Sequence, residues 1–123
     1  MKALFAVVIA LIMAFVVTAE VVKLNEGNYD AIVGGDKPAF VKYFAPWCGH
    51  CVRMQPAWEE LSRDVTDVVI AEVDATQEQG LASKAGVRGY PTIKFFKAGS
   101  KDGIAYQGAR TVDALKTFIN ANK

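Results

Sequence analysis

Short apolar runs alternate with segments of helical periodicity through most of the chain. Runs rich in β-branched and aromatic residues, such as 39–45 and 68–73, are typical of strands that are buried on both faces of a sheet. Between the runs, apolar residues recur at intervals of three and four, which is the spacing of one helix face. Strands are predicted at 21–24, 39–45, 68–73, 92–96 and 103–106, and helices are predicted to begin at Asn25 or Asn28, at the cysteines, at Gln77 and at Thr111. The alternation, followed by a hairpin, predicts an α/β domain with a mixed central sheet and helices on both faces.

The first 19 residues form a separate segment. Lys2 is followed by an uncharged apolar run over residues 3–17 and then by small residues before Glu20. Such a run is typical of a secretory signal peptide, here cleaved after Ala19. The run is shorter than the roughly 20 residues of a membrane-spanning helix, and a retained N-terminal anchor is the alternative. We therefore expect residues 1–19 to be removed and residues 20–123 to form one domain, with no membrane contact after cleavage.

Composition and charge narrow the classes of function. The chain has 123 residues, of which 52% are hydrophobic, and four prolines, which suits one ordinary core without a low-complexity segment. Lys2 is the only charged residue before Glu20. Its removal lowers the number of basic residues from 14 to 13, which equals the 13 acidic residues. A neutral domain lacks the basic excess that binding to nucleic acid or to an anionic membrane requires. Neither partner is expected.

Both cysteines and the only histidine lie within residues 48–51. Cys48 and Cys51 are separated by Gly49 and His50, so the two thiols can close a small disulfide ring. If a helix begins there, Cys48 lies over the free N–H groups and the positive dipole end of the first helical turn. That position beside a cationic His50 lowers a thiol pKa from about 8.5 and raises the thiolate fraction. Cys48 is therefore the candidate nucleophile, and the pair is expected to be a redox-active disulfide that needs no other cofactor.

Two structural explanations of the cysteine pair are weaker. A disulfide between residues so close in sequence removes little loop entropy from the unfolded chain, so it stabilises little. A closed zinc site needs four ligands, whereas this segment offers two thiols with one histidine between them. We expect no metal, and a cluster shared between two chains is the only form that a metal site could take. A secretory chain with one such pair instead suits the compartments in which disulfides form.

Three segments identify the family that the chain resembles. Residues 44–51 are FAPWCGHC, residues 73–76 are VDAT, and residues 87–96 are VRGYPTIKFF. With these motifs the chain resembles a catalytic, a-type domain of protein disulfide isomerase over essentially all of residues 20–123. Their content and spacing are more specific than a lone Cys-x-x-Cys. The resemblance implies a thioredoxin fold and the formation, reduction and rearrangement of disulfides in proteins of the secretory pathway.

Thiol chemistry and the resemblance give the two cysteines different roles. The Cys48 thiolate would attack a substrate disulfide, and then either the substrate rearranges by its own thiols or Cys51 attacks and releases it reduced. Gly49 and His50 lie inside the ring, where a cationic His50 would stabilise the reduced form and make the pair more oxidising. The alternative for His50 is a solvated residue at a helix start.

Further residues receive roles from the resemblance. It implies that Tyr90-Pro91 is a cis peptide packed against the cysteine pair, in a loop that holds substrate backbone. Trp47 would form an apolar rim for unfolded chain, although a bulky ring can also be plain core. Residues 106–110 match the family's Tyr-x-x-x-Arg, so Arg110 would swing toward Cys51 and lower its pKa, unless it is simply an exposed arginine.

Two charges lie inside predicted buried strands. Lys42 falls within the apolar run 40–44 and Glu72 within 68–73, and since each ion alone would be costly to bury, we expect the two to pair. In the disulfide isomerase family an acid lies six residues before the first cysteine and a lysine just before the VDAT segment, so this pair is inverted. Our hypothesis is that Glu72 relays protons for Cys51 while Lys42 holds it ionised. The alternative is an ion pair with no catalytic part.

Partners and location follow from the same reasoning. We expect a monomer that acts on unfolded or disulfide-containing proteins and is reoxidised by an upstream thiol oxidase or glutathione. The signal peptide predicts the endoplasmic reticulum lumen, but residues 120–123 are not a Lys-Asp-Glu-Leu-type retrieval signal, so secretion is also open. The familiar enzyme has several domains, whereas only one is predicted here. We therefore expect oxidation and reduction of disulfides more than strong isomerisation. A chaperone-like binding module and a dedicated reductase are the alternative functions.

Overall fold

The order of elements in the computed structural model follows the predicted alternation. The structure describes residues 20–123, so the predicted signal peptide lies outside the described residues. The strands are β1 (Val22–Lys23), β2 (Ala39–Phe44), β3 (Val69–Asp74), β4 (Thr92–Phe96) and β5 (Ile104–Tyr106). The helices are α1 (Tyr29–Ile32), α2 (Gly49–Asp64), α3 (Gln79–Lys84) and α4 (Val112–Asn122).

The five strands form one mixed sheet in the order β1-β3-β2-β4-β5. β1 and β2 both pair with β3 in parallel, whereas β4 runs antiparallel to β2 and β5 antiparallel to β4. The prediction of a mixed sheet is therefore confirmed. In the β2–β3 register Lys42 lies directly opposite Glu72, so the two predicted charges meet in the middle of the sheet.

Side-chain alternation along β2 supplies two separate cores. Residues 39, 41 and 43 pack on the face covered by α1 and α3, whereas Phe40 packs on the face covered by α2 and α4. Trp58 of α2 is fully buried on the second face, and its indole N–H donates to the Ala71 carbonyl at 3.1 Å. Helices thus cover both faces, as predicted, and Lys42, two residues from Phe40, points toward α2.

Local chemistry sets the ends of the helices. The Thr111 hydroxyl accepts a hydrogen bond from the Ala114 N–H at 3.3 Å, which confirms Thr111 as the N-cap of α4. Gly86, with φ at +72°, follows α3 and adopts the left-handed conformation that ends many helices. α3 begins two residues later than predicted, because the Asp74 carboxylate holds Thr76 in a turn through its N–H (2.9 Å) and hydroxyl (2.6 Å).

α2 passes through Pro56 without interruption. In the part of the chain that is described, no helix has both the length and the apolar character needed to cross a membrane.

Candidate active site

The two cysteines lie at the N-terminus of α2. Cys48 is the N-cap residue, and its sulfur accepts a hydrogen bond from the Cys51 N–H at 3.2 Å. The Cys48 carbonyl accepts from the Val52 N–H, which begins the helical ladder. Both cysteines are free thiols and are nearly buried, in a small cluster with Ala45. A helix start at the cysteines was predicted from the periodicity that follows them, and it is confirmed.

Different surroundings move the pKa values of the two thiols in opposite directions. Burial raises the pKa of Cys48, but hydrogen bonds from the Cys51 thiol and from the backbone of Cys51 and His50, together with the Arg110 charge, outweigh it and bring it below the ordinary value. Burial and the neighbouring Cys48 sulfur raise the pKa of Cys51 to about 11, against a backbone hydrogen bond from Ala45 and the charge of Lys42. Since the thiolate is the nucleophile, this difference favours Cys48 as the attacking thiol.

The His50 side chain is exposed and contacts Arg53, a residue that the sequence reasoning missed. The Arg53 guanidinium lies 2.8 Å from His50 Nδ1, and because a guanidinium only donates, Nδ1 is the acceptor. A side chain at Gly49 would meet the same guanidinium, since a Cβ built there lies 3.2 Å from Arg53 Nη1. Spacing by three residues on one helix was the available signal for this contact. A cationic imidazole has no acceptor nitrogen, so the cationic His50 that the sequence predicted would have to break this contact with Arg53. The backbone of His50 acts directly on Cys48.

An aromatic pair borders the thiols. Trp47 is 74% exposed, so it is not core, and its ring meets that of Tyr90 edge to face at 5.7 Å. Tyr90 also packs against the cluster that contains both cysteines. The Tyr90-Pro91 peptide bond is cis, as the resemblance implied. The residues expected to border the substrate therefore lie together beside Cys48.

Arg110 is exposed and precedes α4. Its charge lowers the pKa of Cys48, whereas the cation that lowers the pKa of Cys51 is Lys42. The swing of Arg110 toward Cys51 that the resemblance implied stays a prediction. In this structure the exposed Arg110 acts on Cys48, and the buried Lys42 acts on Cys51.

Lys42 and Glu72 form the buried ion pair that the sequence predicted. Lys42 Nζ lies 3.3 Å from Glu72 Oε2, and the two residues are 0% and 7% exposed. Lys42 also donates a hydrogen bond to the side-chain oxygen of Gln55, a second residue that the sequence reasoning missed. Burial lowers the pKa of Lys42, and the Glu72 carboxylate opposes this effect.

A cavity of about 300 Å³ joins this ion pair to the second thiol, since it is lined by Cys51, Lys42, Gln55 and Glu72. Glu72 also lines two neighbouring cavities of about 370 and 290 Å³. The Glu72 carboxylate is therefore shared by the cavity beside Cys51 and by two others. Within residues 20–123, no three His, Cys, Asp or Glu side chains are grouped so that they could hold a metal ion.

Comparison with known proteins places this site in a family. The thioredoxin family model matches residues 20–121. The chain is 46% identical over 107 residues to protein disulfide-isomerase tigA of Aspergillus niger, covering 83% of this chain and 30% of that protein. It is 46% identical to the thioredoxin domain-containing protein 5 homolog of Drosophila melanogaster, covering 80% and 24%. The chain thus spans about a third or less of the length of these relatives.

Solved structures agree with these matches. Human ERp44 superposes with a TM-score of 0.77 at 30% identity, over 88% of this chain and 30% of that one. Spinach chloroplast thioredoxin f superposes with a TM-score of 0.72 at 32% identity, over 86% and 96%. By its sequence match over residues 20–121 and by its fold, the chain belongs to the thioredoxin family, with relatives named protein disulfide-isomerases.

Proposed function

We propose that this domain is a thiol-disulfide oxidoreductase and isomerase that forms, reduces and rearranges disulfides in proteins of the secretory pathway. The observation that carries the proposal is the dithiol pair at the start of α2, with a lowered pKa at Cys48 and a pKa of about 11 at Cys51. Cys48 therefore forms the attacking thiolate more readily, whereas Cys51 stays protonated until the second step. The relatives named protein disulfide-isomerases support the same chemistry.

The exchange takes place in two steps. The Cys48 thiolate attacks one sulfur of a substrate disulfide, so that a Cys48–substrate S–S bond forms as the substrate bond breaks and the other substrate sulfur leaves and takes up a proton. Cys51 then loses its proton and attacks the Cys48 sulfur, which forms the Cys48–Cys51 disulfide and releases the second substrate thiol. Two electrons pass to the substrate, and the reverse sequence oxidises a dithiol. If the substrate's own thiol attacks first, its disulfides are rearranged.

The second step needs a proton acceptor, because Cys51 has a pKa of about 11. We assign this role to Glu72, which shares the cavity with Cys51 and is held 3.3 Å from the Lys42 ammonium. The charge of Lys42 also lowers the pKa of Cys51 and so favours the developing thiolate. Arg110 would also favour ionisation of Cys51 from the exposed side of the site, where its charge already lowers the pKa of Cys48.

Substrate would bind beside Cys48, at the exposed Trp47 ring and the Tyr90-Pro91 loop. Unfolded or disulfide-containing proteins fit this apolar, accessible rim. Reoxidation would come from an upstream thiol oxidase or from glutathione, and no cofactor beyond the cysteine pair takes part. We place the domain, as a monomer, in the endoplasmic reticulum lumen or the secreted fraction, after removal of residues 1–19.

Trapping of a substrate by each cysteine variant tests the assignment. Cys48→Ser should abolish exchange with a peptide disulfide, whereas Cys51→Ser should accumulate the mixed disulfide because no thiol resolves it. The mixed disulfide is counted by mass spectrometry after acid quenching. Equal trapping by both variants would contradict the proposed roles.

Glu72→Gln tests the proton relay. The variant should slow the release of substrate by Cys51 and leave the attack by Cys48 nearly unchanged, since only the second step uses the cavity. The exchanged pair, Lys42→Glu with Glu72→Lys, should keep a near-normal release rate. If Glu72→Gln lowers the free energy of unfolding but changes neither rate, the ion pair is only structural.

A chaperone-like binding module is the second candidate, and the exposed Trp47 (74%) and Val52 (61%) favour it. Binding of unfolded chain requires this surface but not the thiols. The double variant Cys48→Ala/Cys51→Ala would keep full activity if binding alone were the function. A reduction potential near that of thioredoxin would instead indicate a dedicated reductase.

A further inference from the structure

Gln55 connects the helix of the cysteines to the buried ion pair. It lies on α2 one turn after Cys51, and its side-chain oxygen accepts a hydrogen bond from Lys42 Nζ. Its side-chain nitrogen donates to Glu59 Oε1 at 3.5 Å. The amide is therefore oriented with its acceptor end toward the lysine.

The Lys42 ammonium depends on a few acceptors, because its residue is completely buried. Nζ lies 3.3 Å from Glu72 Oε2 and over the rings of Phe44 and Trp58, at 5.2 and 5.9 Å from their centroids. A buried charge that lacks hydrogen-bond partners is costly. Gln55 supplies an acceptor that is neutral, so it stabilises the cation without adding a second negative charge to the cavity.

The cation and the second thiol face the same cavity. Lys42, Gln55 and Cys51 all line the cavity of about 300 Å³. Cys51 itself is buried, so a thiolate that forms there is poorly hydrated and is stabilised by a nearby positive charge. The charged and titratable groups around it are Lys23 on β1, Lys42 on β2, Glu72 on β3, and Cys48, Cys51 and Glu59 at or on α2.

We propose that Gln55 is a positioning residue for the release step: its amide oxygen fixes the Lys42 ammonium at the cavity wall, so that the Cys51 thiolate forms opposite a held cation. The inference rests on the proposed function, because it concerns the attack of Cys51 on the mixed disulfide. The bonds made and broken in that attack are unchanged. Gln55 acts on them only through Lys42.

Gln55→Met tests the proposal, because methionine has a similar length but no oxygen acceptor. The reduced protein is mixed with a peptide disulfide, and the mixed disulfide is followed by acid quenching and mass spectrometry between pH 5 and 9. Without the acceptor, Lys42 loses its proton more readily, and Cys51 ionises less. We expect release at pH 7 to fall about tenfold and its pH midpoint to rise about one unit, while formation of the mixed disulfide keeps its rate.

Two comparisons separate positioning from a structural role. Gln79→Met alters a glutamine at the start of α3 whose side-chain nitrogen donates to the carbonyl of Thr76, in the turn before that helix, and it should leave both rates unchanged. In a Lys42→Met background, Gln55→Met should have no further effect on release, since the cation that it positions is gone. Gln55→Ala gives the same comparisons if the methionine variant does not fold.

The outcomes distinguish this inference from the proposed function. An unchanged pH midpoint in Gln55→Met, or the same loss of release in the Lys42→Met background, would overturn the role of Gln55. If the wild-type protein forms no mixed disulfide through Cys48, the proposed function itself fails. If the wild-type protein exchanges disulfides normally and Gln55→Met has no effect of its own on release, the proposed function stands. The positioning of Lys42 by Gln55 is then rejected.

Discussion

Breaking the buried pair of Lys42 and Glu72 from one side should destabilise the domain more than replacing both residues. At 3.3 Å the attraction of two unit charges is about 5 kcal/mol for an effective dielectric constant of about 20. Lys42→Met or Glu72→Leu alone leaves a charge on the face that also buries Trp58, which costs about 3–5 kcal/mol. The double variant removes both charges, so its loss should be smaller than the larger single loss.

Urea unfolding of the four reduced proteins, followed by circular dichroism, gives the coupling as the departure of the double variant from additivity. We expect a coupling of about 3–5 kcal/mol. Lys101 and Asp30 provide the matched control, since their charged atoms are closer, at 2.8 Å, but their side chains are 61% and 79% exposed. That pair should show no coupling beyond the error of the measurement, because water and salt screen exposed charges. Equal coupling in both pairs would refute the argument that burial decides the strength.

Three further results are expected. Iodoacetamide at pH 7 should modify Cys48 before Cys51, because the pKa of Cys48 is lowered and that of Cys51 is about 11. Mass spectrometry should show the second modification as the pH is raised toward 11. Simultaneous labelling of both thiols at pH 7 would contradict this order. His50→Pro should make the pair more reducing in a glutathione buffer, and an unchanged potential would remove His50 from the mechanism. Thr111→Ala removes the acceptor for the Ala114 N–H and should cost about 1 kcal/mol in thermal unfolding, whereas Thr117→Ala, with its exposed hydroxyl on the Asp113 carbonyl, should cost less.

The sequence determined the features that depend on neighbours along the chain. The periodicity after Cys51 placed the cysteines at a helix start, because a helix leaves its first N–H groups free wherever it begins. Apolar runs of strand length predicted all five strands, and the opposite charges of Lys42 and Glu72 predicted their pairing, since a lone buried ion is costly. Thr111 marked the start of the last helix, because its side-chain hydroxyl can accept a hydrogen bond from a free N–H of the first turn.

Tertiary structure decided which side chains from different elements meet at the second thiol. Gln55 on α2 reaches Lys42 on β2, and both line a cavity with Cys51, an arrangement that depends on how the helix packs on the sheet and not on any local pattern. The charge of Arg110 acts on Cys48, whereas that of Lys42 acts on Cys51. Electrostatic effects depend on distance and burial in space, and neither quantity is contained in the spacing of residues along the chain.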